Sequence, residues 1–142
     1  MMMLQCKKLS PDARIPFRAH HDDAGLDLYA NENYELRPGE VRGIPTGIAM
    51  AIPSGFVGLI WGKSGLAVKA GIDTLGGVID AQYRGEIIVI VANLGSDSYR
   101  VEKGSKIAQI LIQKVELFEV EETGELDETL RGVGAFGSTG IH

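Results

Sequence analysis

Cysteine is nearly missing from this chain of 142 residues, with Cys6 its single one. No intramolecular disulfide can form, and nothing points to an oxidising compartment. Long apolar runs are missing too. The longest, Ile87 to Ala92, has six residues, where a membrane-spanning helix needs about 20. Met1-Met2-Met3-Leu4 leads to Lys7 and Lys8 without the apolar stretch or cleavage site of a secretion signal. The expectation is an intracellular, cytoplasmic protein with no membrane partner. Positive charge is also short, with 14 Lys and Arg against 19 Asp and Glu and a formal charge of −5. That balance speaks against long nucleic acids, which are gripped by neutralising their phosphates.

The charge deficit is local. Glu116, Glu119, Glu121, Glu122, Glu125, Asp127 and Glu128 crowd into residues 116–130 with no base among them. Without those seven and the later Arg131, the body holds 12 acids against 13 bases. Three segments follow: a body over 1–115, an acidic linker over 116–130 that reads as a solvated tether, and a glycine-rich tail over 131–142. The tail cannot build a core of its own and is expected to be mobile.

What the chain has in plenty is glycine, 19 residues or roughly twice the ordinary share. With 44% apolar and 23% charged side chains it reads as one globular domain. Short apolar runs recur between turn residues, at Leu4–Leu9, Leu26–Ala30, Gly43–Ile52, Phe56–Trp61, Leu75–Asp80, Ile87–Asn93 and Lys106–Val115. Strands at that spacing predict an all-β jelly-roll-like sandwich or barrel. One short helix is expected from Ser64, its cap, to Ala70. Ile87 to Val91 is apolar at every position, so both faces of that strand should be covered, by a second sheet or by another subunit.

Two nucleotide motifs fail on inspection. Gly132-Val133-Gly134-Ala135-Phe136-Gly137 has the spacing of a dinucleotide fingerprint, but only five residues follow it and no helix can receive a pyrophosphate. Gly62-Lys63-Ser64 resembles the end of a phosphate-binding loop, yet the glycine required five residues earlier is Val57. Both segments still place backbone N–H donors beside a base and hydroxyls, as polyphosphate binding needs. Cys6 with His20 and His21 could be a thiol and its base, but nothing around Cys6 looks like an activated nucleophile.

Five segments combine glycine with reactive side chains: Ala24 to Leu28, Gly62 to Ala67, Gly77 to Gly85, Gly104 to Gln109, and Arg131 to Gly140. In these residues the sequence resembles the trimeric dUTPase family, with all five family motifs in order. The resemblance implies a jelly-roll subunit, a homotrimer with sites at subunit interfaces, and magnesium-dependent hydrolysis of dUTP to dUMP and pyrophosphate. It makes Asp80 the general base for water attack on the α-phosphorus, where a turn-capping role is the plainer alternative. Tyr83 would lie beneath the deoxyribose and leave no room for a 2′-hydroxyl. Thr74, Gly76, Gly77, Val78 and Ile88 would read uracil through backbone groups.

The same resemblance gives Lys63, Ser64, Gly65 and Gln109 to the phosphates, although Gln109 also reads as a core amide. Asp27 would hold waters of a Mg²⁺ bound chiefly by the triphosphate; a strand-end carboxylate is the alternative. The tail would close as a lid, with Phe136 on uracil and Arg131, Gly137, Ser138 and Thr139 at the γ-phosphate. Two departures stand out. Many relatives carry Pro-Arg at Gly62-Lys63, and lysine keeps the charge without arginine's planar fork. Ala135 replaces a usual glycine and would be strained if that position needs a positive φ. A dCTP-deaminase-like enzyme is the nearest rival, but its glutamate is missing from Ile87-Ile88-Val89-Ile90-Val91. An inactive nucleotide-binding module on the same fold is the other.

Overall fold

Apolar segments broken by glycine and proline become antiparallel ladders along most of the chain. The structure is a computed structural model that describes residues 2–141; Met1 and His142, the ends of the body and lid segments, lie outside the described residues. Its strands are β1 (Gln5–Lys8), β2 (Leu26–Tyr29), β3 (Tyr34–Leu36), β4 (Val41–Pro45), β5 (Ile48–Ala51) and β6 (Phe56–Trp61). After helix α1 (Ser64–Ala70) come β7 (Ile72–Thr74), β8 (Val78–Ile79), β9 (Ile88–Asn93), β10 (Tyr99–Val101) and β11 (Lys106–Lys114). One sheet runs β2-β11-β6-β8, a second runs β4-β9-β7, and β1-β5 and β3-β10 form two-stranded ribbons. The result is the expected all-β, jelly-roll-like sandwich with one short helix.

The core lies between the two larger sheets. Leu28, Ile60 and Ile110 of the first meet a buried cluster with Ile44, Ile72, Val89 and Val91 of the second. Leu36, Ile48, Ile52 and Val101 close its ends. Strand β9 shows how the pattern resolves. Ile87, Val89 and Val91 are buried, whereas Ile88 and Ile90 remain 38% and 39% exposed. Within one chain only one face of this apolar strand is covered, so of the two expected covers the facing sheet takes one face and leaves Ile88 and Ile90 on the other open.

Several boundaries differ from the sequence reading, each for a local reason. Gly43–Ile52 is two strands, because Thr46-Gly47 turns with Gly47 at φ 70. Leu75–Asp80 is not one strand either: β7 ends at Thr74, and β8 begins only after Gly76-Gly77. Strands β3 and β10, three residues each, pair only with one another. They are too short to show a period. Helix α1 is capped at Lys63 in extended backbone without a side-chain cap bond, so Ser64 is its first residue and not its cap.

Helix α1 buries none of its residues, and its far end holds it. Gly71 adopts a left-handed φ of 69 and its N–H returns to Ala67 O, while the Leu94 N–H donates to Gly71 O at 2.8 Å. A Cβ on Gly71 would stand 2.6 Å from the backbone nitrogen of Gly95. Gly71→Ala therefore faces both a backbone penalty and a clash, and should cost about 2 kcal/mol in urea unfolding. Gly124→Ala, where a Cβ meets nothing within 4 Å, is the neutral control.

Candidate active site

Strand register builds the first half of the site. Gln109 of β11 lies opposite Asp27 of β2 on one side and Trp61 of β6 on the other. Residues directly opposite share a face, so these three form a row across the sheet. Between Lys106 and Ala108 the β11–β2 register slips by one residue. This bulge sends both Ile107 and Ala108 into the core and leaves Lys106 on the face of Asp27.

Asp27 is only 5% exposed and sits between two lysines. Lys63 Nζ donates to its Oδ1, and Lys106 Nζ lies 3.1 Å from its Oδ2. Burial pushes the Asp27 carboxyl up, but the bonds from Lys63 and Lys106 outweigh it and hold the group below its ordinary range. Gln109 Nε2 donates to Gly62 O at 2.9 Å, which fixes the amide and the chain just ahead of Lys63, Ser64 and Gly65.

The second half is the turn after β8. Val78 and Ile79 pair with Leu59 and Gly58 of β6, and Asp80 follows as an exposed carboxylate at the strand end. The Tyr83 N–H closes the turn onto Asp80 O at 3.1 Å. Val78, Ile79, Asp80, Tyr83, Glu86 and Ile88 line a cleft of about 180 Å³. Beside it, Thr74, Gly76, Gly77 and Val78 line a second hollow of about 200 Å³ against Ile60 and Trp61. Arg84 is tied to its own turn through Ala81 O and Tyr83 O.

Asp80 and Lys63 lie at opposite ends of β6, whereas the β7–β8 segment reaches the first half, since a Cβ on Gly62 would run into Asp73 Oδ1. The pairing of Ile79 with Gly58 puts Asp80 level with Val57, at the start of β6. Lys63 lies six residues further along the chain, up to about 20 Å away at a strand's rise. The tail joins neither half. Phe136 is fully exposed, and Arg131 Nε bonds only Gly134 O, at 2.9 Å. Positive φ in the tail falls on Phe136 (38) and on Gly132, Gly137 and Gly140, so Ala135 carries no such strain.

A cationic end to one sheet, a lined cleft beside a carboxylate and an aromatic, glycine-rich tail define a nucleotide-processing enzyme on a β-sandwich. The dUTPase family model matches residues 11–140, and the chain belongs to that family. It is 47% identical to the deoxyuridine 5'-triphosphate nucleotidohydrolase of Mycolicibacterium gilvum, over 95% of this chain and 93% of that protein. With the Clostridium novyi enzyme of the same name it shares 47% identity over 99% of this chain and the whole of the other. Among solved structures, a Staphylococcus phage 80alpha dUTPase mutant with dUpNHpp superposes at a TM-score of 0.94, with 32% identity over 99% of this chain and 100% of that one. A phage phi11 dUTPase mutant described with a structural Mg(II) ion gives 0.82 and 29% identity, over 87% and 98% of the two chains.

No cluster of three or more metal-ligating side chains occurs among the described residues. A single buried carboxylate, Asp27, at the cationic end fits a Mg²⁺ whose ligands are phosphate oxygens and waters, with the carboxylate accepting hydrogen bonds from those waters. Among the residues around the site that sequence reasoning left without a role are Lys106, Glu86, Trp61 and Asp73. The bulge that turns Lys106 to Asp27 has no sequence signature, and neither does the contact of Glu86 with a turn 39 positions away.

The lowered carboxyl of Asp27 fixes the sign of one pH effect. The unfolded chain protonates Asp27 first as pH falls, so its stabilisation is present above about pH 4 and is lost below. Urea midpoints measured from pH 5 down to pH 3 should fall less steeply in Asp27→Asn than in the unaltered protein. Equal slopes would show that the two lysines do not hold the carboxylate.

Proposed function

We propose that this chain hydrolyses dUTP to dUMP and pyrophosphate in sites shared between copies of a homotrimer. The separation of Asp80 from Lys63 along β6 carries this reading. One subunit offers Asp27, Lys63, Ser64, Gly65 and Gln109, and its neighbour offers Asp80, Tyr83 and the glycine hairpin. The exposed apolar face of Ile88 and Ile90, with Val41 on the neighbouring strand, supplies surface for the assembly. The linker supports it as well. Leu117, Phe118 and Val120 stand exposed between its acids, which a purely solvated tether would not need.

Within such a site, uracil enters the hairpin of Thr74, Gly76, Gly77 and Val78 beside Ile88, and backbone groups match its O4 and N3–H. Tyr83 packs beneath the sugar. The Asp80 carboxylate orients a water at the α-phosphorus and takes its proton as the new P–O bond forms. The α–β bridging oxygen leaves with pyrophosphate, held by Ser64 and Gly65 donors and by Gln109. Lys63 turns from Asp27 to a phosphate oxygen, while Lys106 keeps Asp27 paired and fixed. A Mg²⁺ bound to the triphosphate, with Asp27 on its waters, would neutralise phosphate charge. Residues 131–142 close over the cleft, Phe136 on uracil and Arg131, Gly137, Ser138 and Thr139 at the γ-phosphate, and exclude water.

Pyrophosphate release from dUTP should require Mg²⁺, and Asp80→Asn should lower kcat about 10²–10⁴-fold. Ammonia release from dCTP would instead mark a deaminase. The shared site has its own test. Asp80→Asn chains mixed and reassembled with Lys63→Ala/Ser64→Ala chains should recover up to about a quarter of full activity, from interfaces that pair two intact halves. No recovery would place the whole site within one chain. Deleting Arg131–His142 should leave the assembly intact by sedimentation and remove most turnover.

A further inference from the structure

Rejecting a 2′-hydroxyl by bulk alone is a demand on rigidity. A pocket wall that can yield rejects an added hydroxyl by only about 10²-fold, so the position of the Tyr83 ring matters as much as its presence. Two contacts hold that ring. Its Oη donates to Glu86 O at 2.7 Å, and its edge lies flat on Gly85. A Cβ built on Gly85 would stand 2.5, 2.6 and 2.8 Å from the Tyr83 Oη, Cζ and Cε1. Gly85 is not in the left-handed region, so the ring is the obstacle to a side chain there and the backbone is not.

The oxygen that anchors the ring is itself tied to the body. The Glu86 carboxylate accepts the Gly47 N–H at 2.9 Å, across the turn between β4 and β5. On its other side, Ile87 is fully buried and donates to Ile48 O at 2.8 Å, while its own carbonyl accepts the Thr46 hydroxyl at 2.6 Å. The turn after Asp80 is thus stitched at Glu86 to the β4–β5 turn. The Glu86 carbonyl shares its peptide group with the Ile87 N–H, so the bond to Ile48 O fixes one side of the Tyr83 anchor and the carboxylate on Gly47 adds a second tie.

We propose that Glu86 and Gly85 are positioning residues for sugar discrimination: together they set the height and stiffness of the Tyr83 ring in the cleft. This rests on Tyr83 being the element that meets the sugar. Glu86 acts through its carboxylate on Gly47, and Gly85 acts by leaving the ring a bed on which to lie.

The experiment compares kcat/KM for dUTP and UTP in the full-length assembled enzyme, with thermal melting of every variant. Glu86→Ala should lower the dUTP-to-UTP ratio about tenfold, mainly through a lower KM for UTP. Glu86→Gln, whose amide oxygen accepts the same N–H, should restore most of the ratio. Gly85→Ala should move the ratio the other way, raising it severalfold, because a ring pushed into the cleft leaves still less room for a 2′-hydroxyl while also raising the KM for dUTP. Should Glu86→Ala fail to fold, Gly85→Ala carries the test, because its backbone suits any residue. A ratio unchanged in both Glu86→Ala and Gly85→Ala, while Tyr83→Ala loses it, overturns the proposal and leaves the role of Tyr83 standing. A ratio unchanged in Tyr83→Ala removes the sugar role itself, and this proposal with it.

Discussion

Strand β6 pairs with β11 along one edge and β8 along the other, and the geometry of the site follows from those two ladders. The β11 ladder carries Gln109, and through it Asp27 on β2, toward the Lys63 end of β6. The β8 ladder sets Asp80 near Phe56 and Val57, at the other end. A hydrogen-bonded ladder is rigid in register, since a slip of one residue would turn every side chain to the opposite face. No flexing of a single subunit can bring Asp80 to Lys63. That constraint is the physical ground for the proposed sharing of the site between subunits.

Electrostatics at the cationic end follow the same ladders. A carboxylate as buried as Asp27 would be costly alone, and two lysines from different segments compensate it. The arrangement keeps a positive excess at that end of the sheet without a net positive chain. In the proposed mechanism Lys63 exchanges Asp27 for a phosphate oxygen and Lys106 remains on the carboxylate. Lysine, a compact charge on a flexible stem, suits such an exchange better than a planar fork would. The formal charge of −5 describes the linker and not the site.

Much of the fold, and the residues proposed for the site, were legible in the sequence. Phe56–Trp61 is a strand with the expected bounds, and the helix begins at Ser64 and ends at Ala70, because their apolar spacing and turn residues agree with the tertiary packing. Short elements were not legible. The ribbon of Tyr34–Leu36 and Tyr99–Val101 owes its existence to long-range pairing, and three residues hold no period. The reach of Lys106 to Asp27 depends on a bulge, which is a property of two strands and is written in neither alone.

Composition and motif order were enough to establish an all-β chain with a detached acidic linker, to identify the family and to single out Asp80, Tyr83 and Lys63. These are local matters, set by residue type and by spacing within a few positions. Which of those residues share a subunit's site, and which must be lent by a neighbour, is a matter of distance across the fold. The ladders around β6 separate Asp80 from Lys63, and the tie from Glu86 to Gly47 steadies Tyr83 from 39 positions away. Contacts between residues so far apart in the chain leave no period and no motif, because they exist only once the sheets have closed.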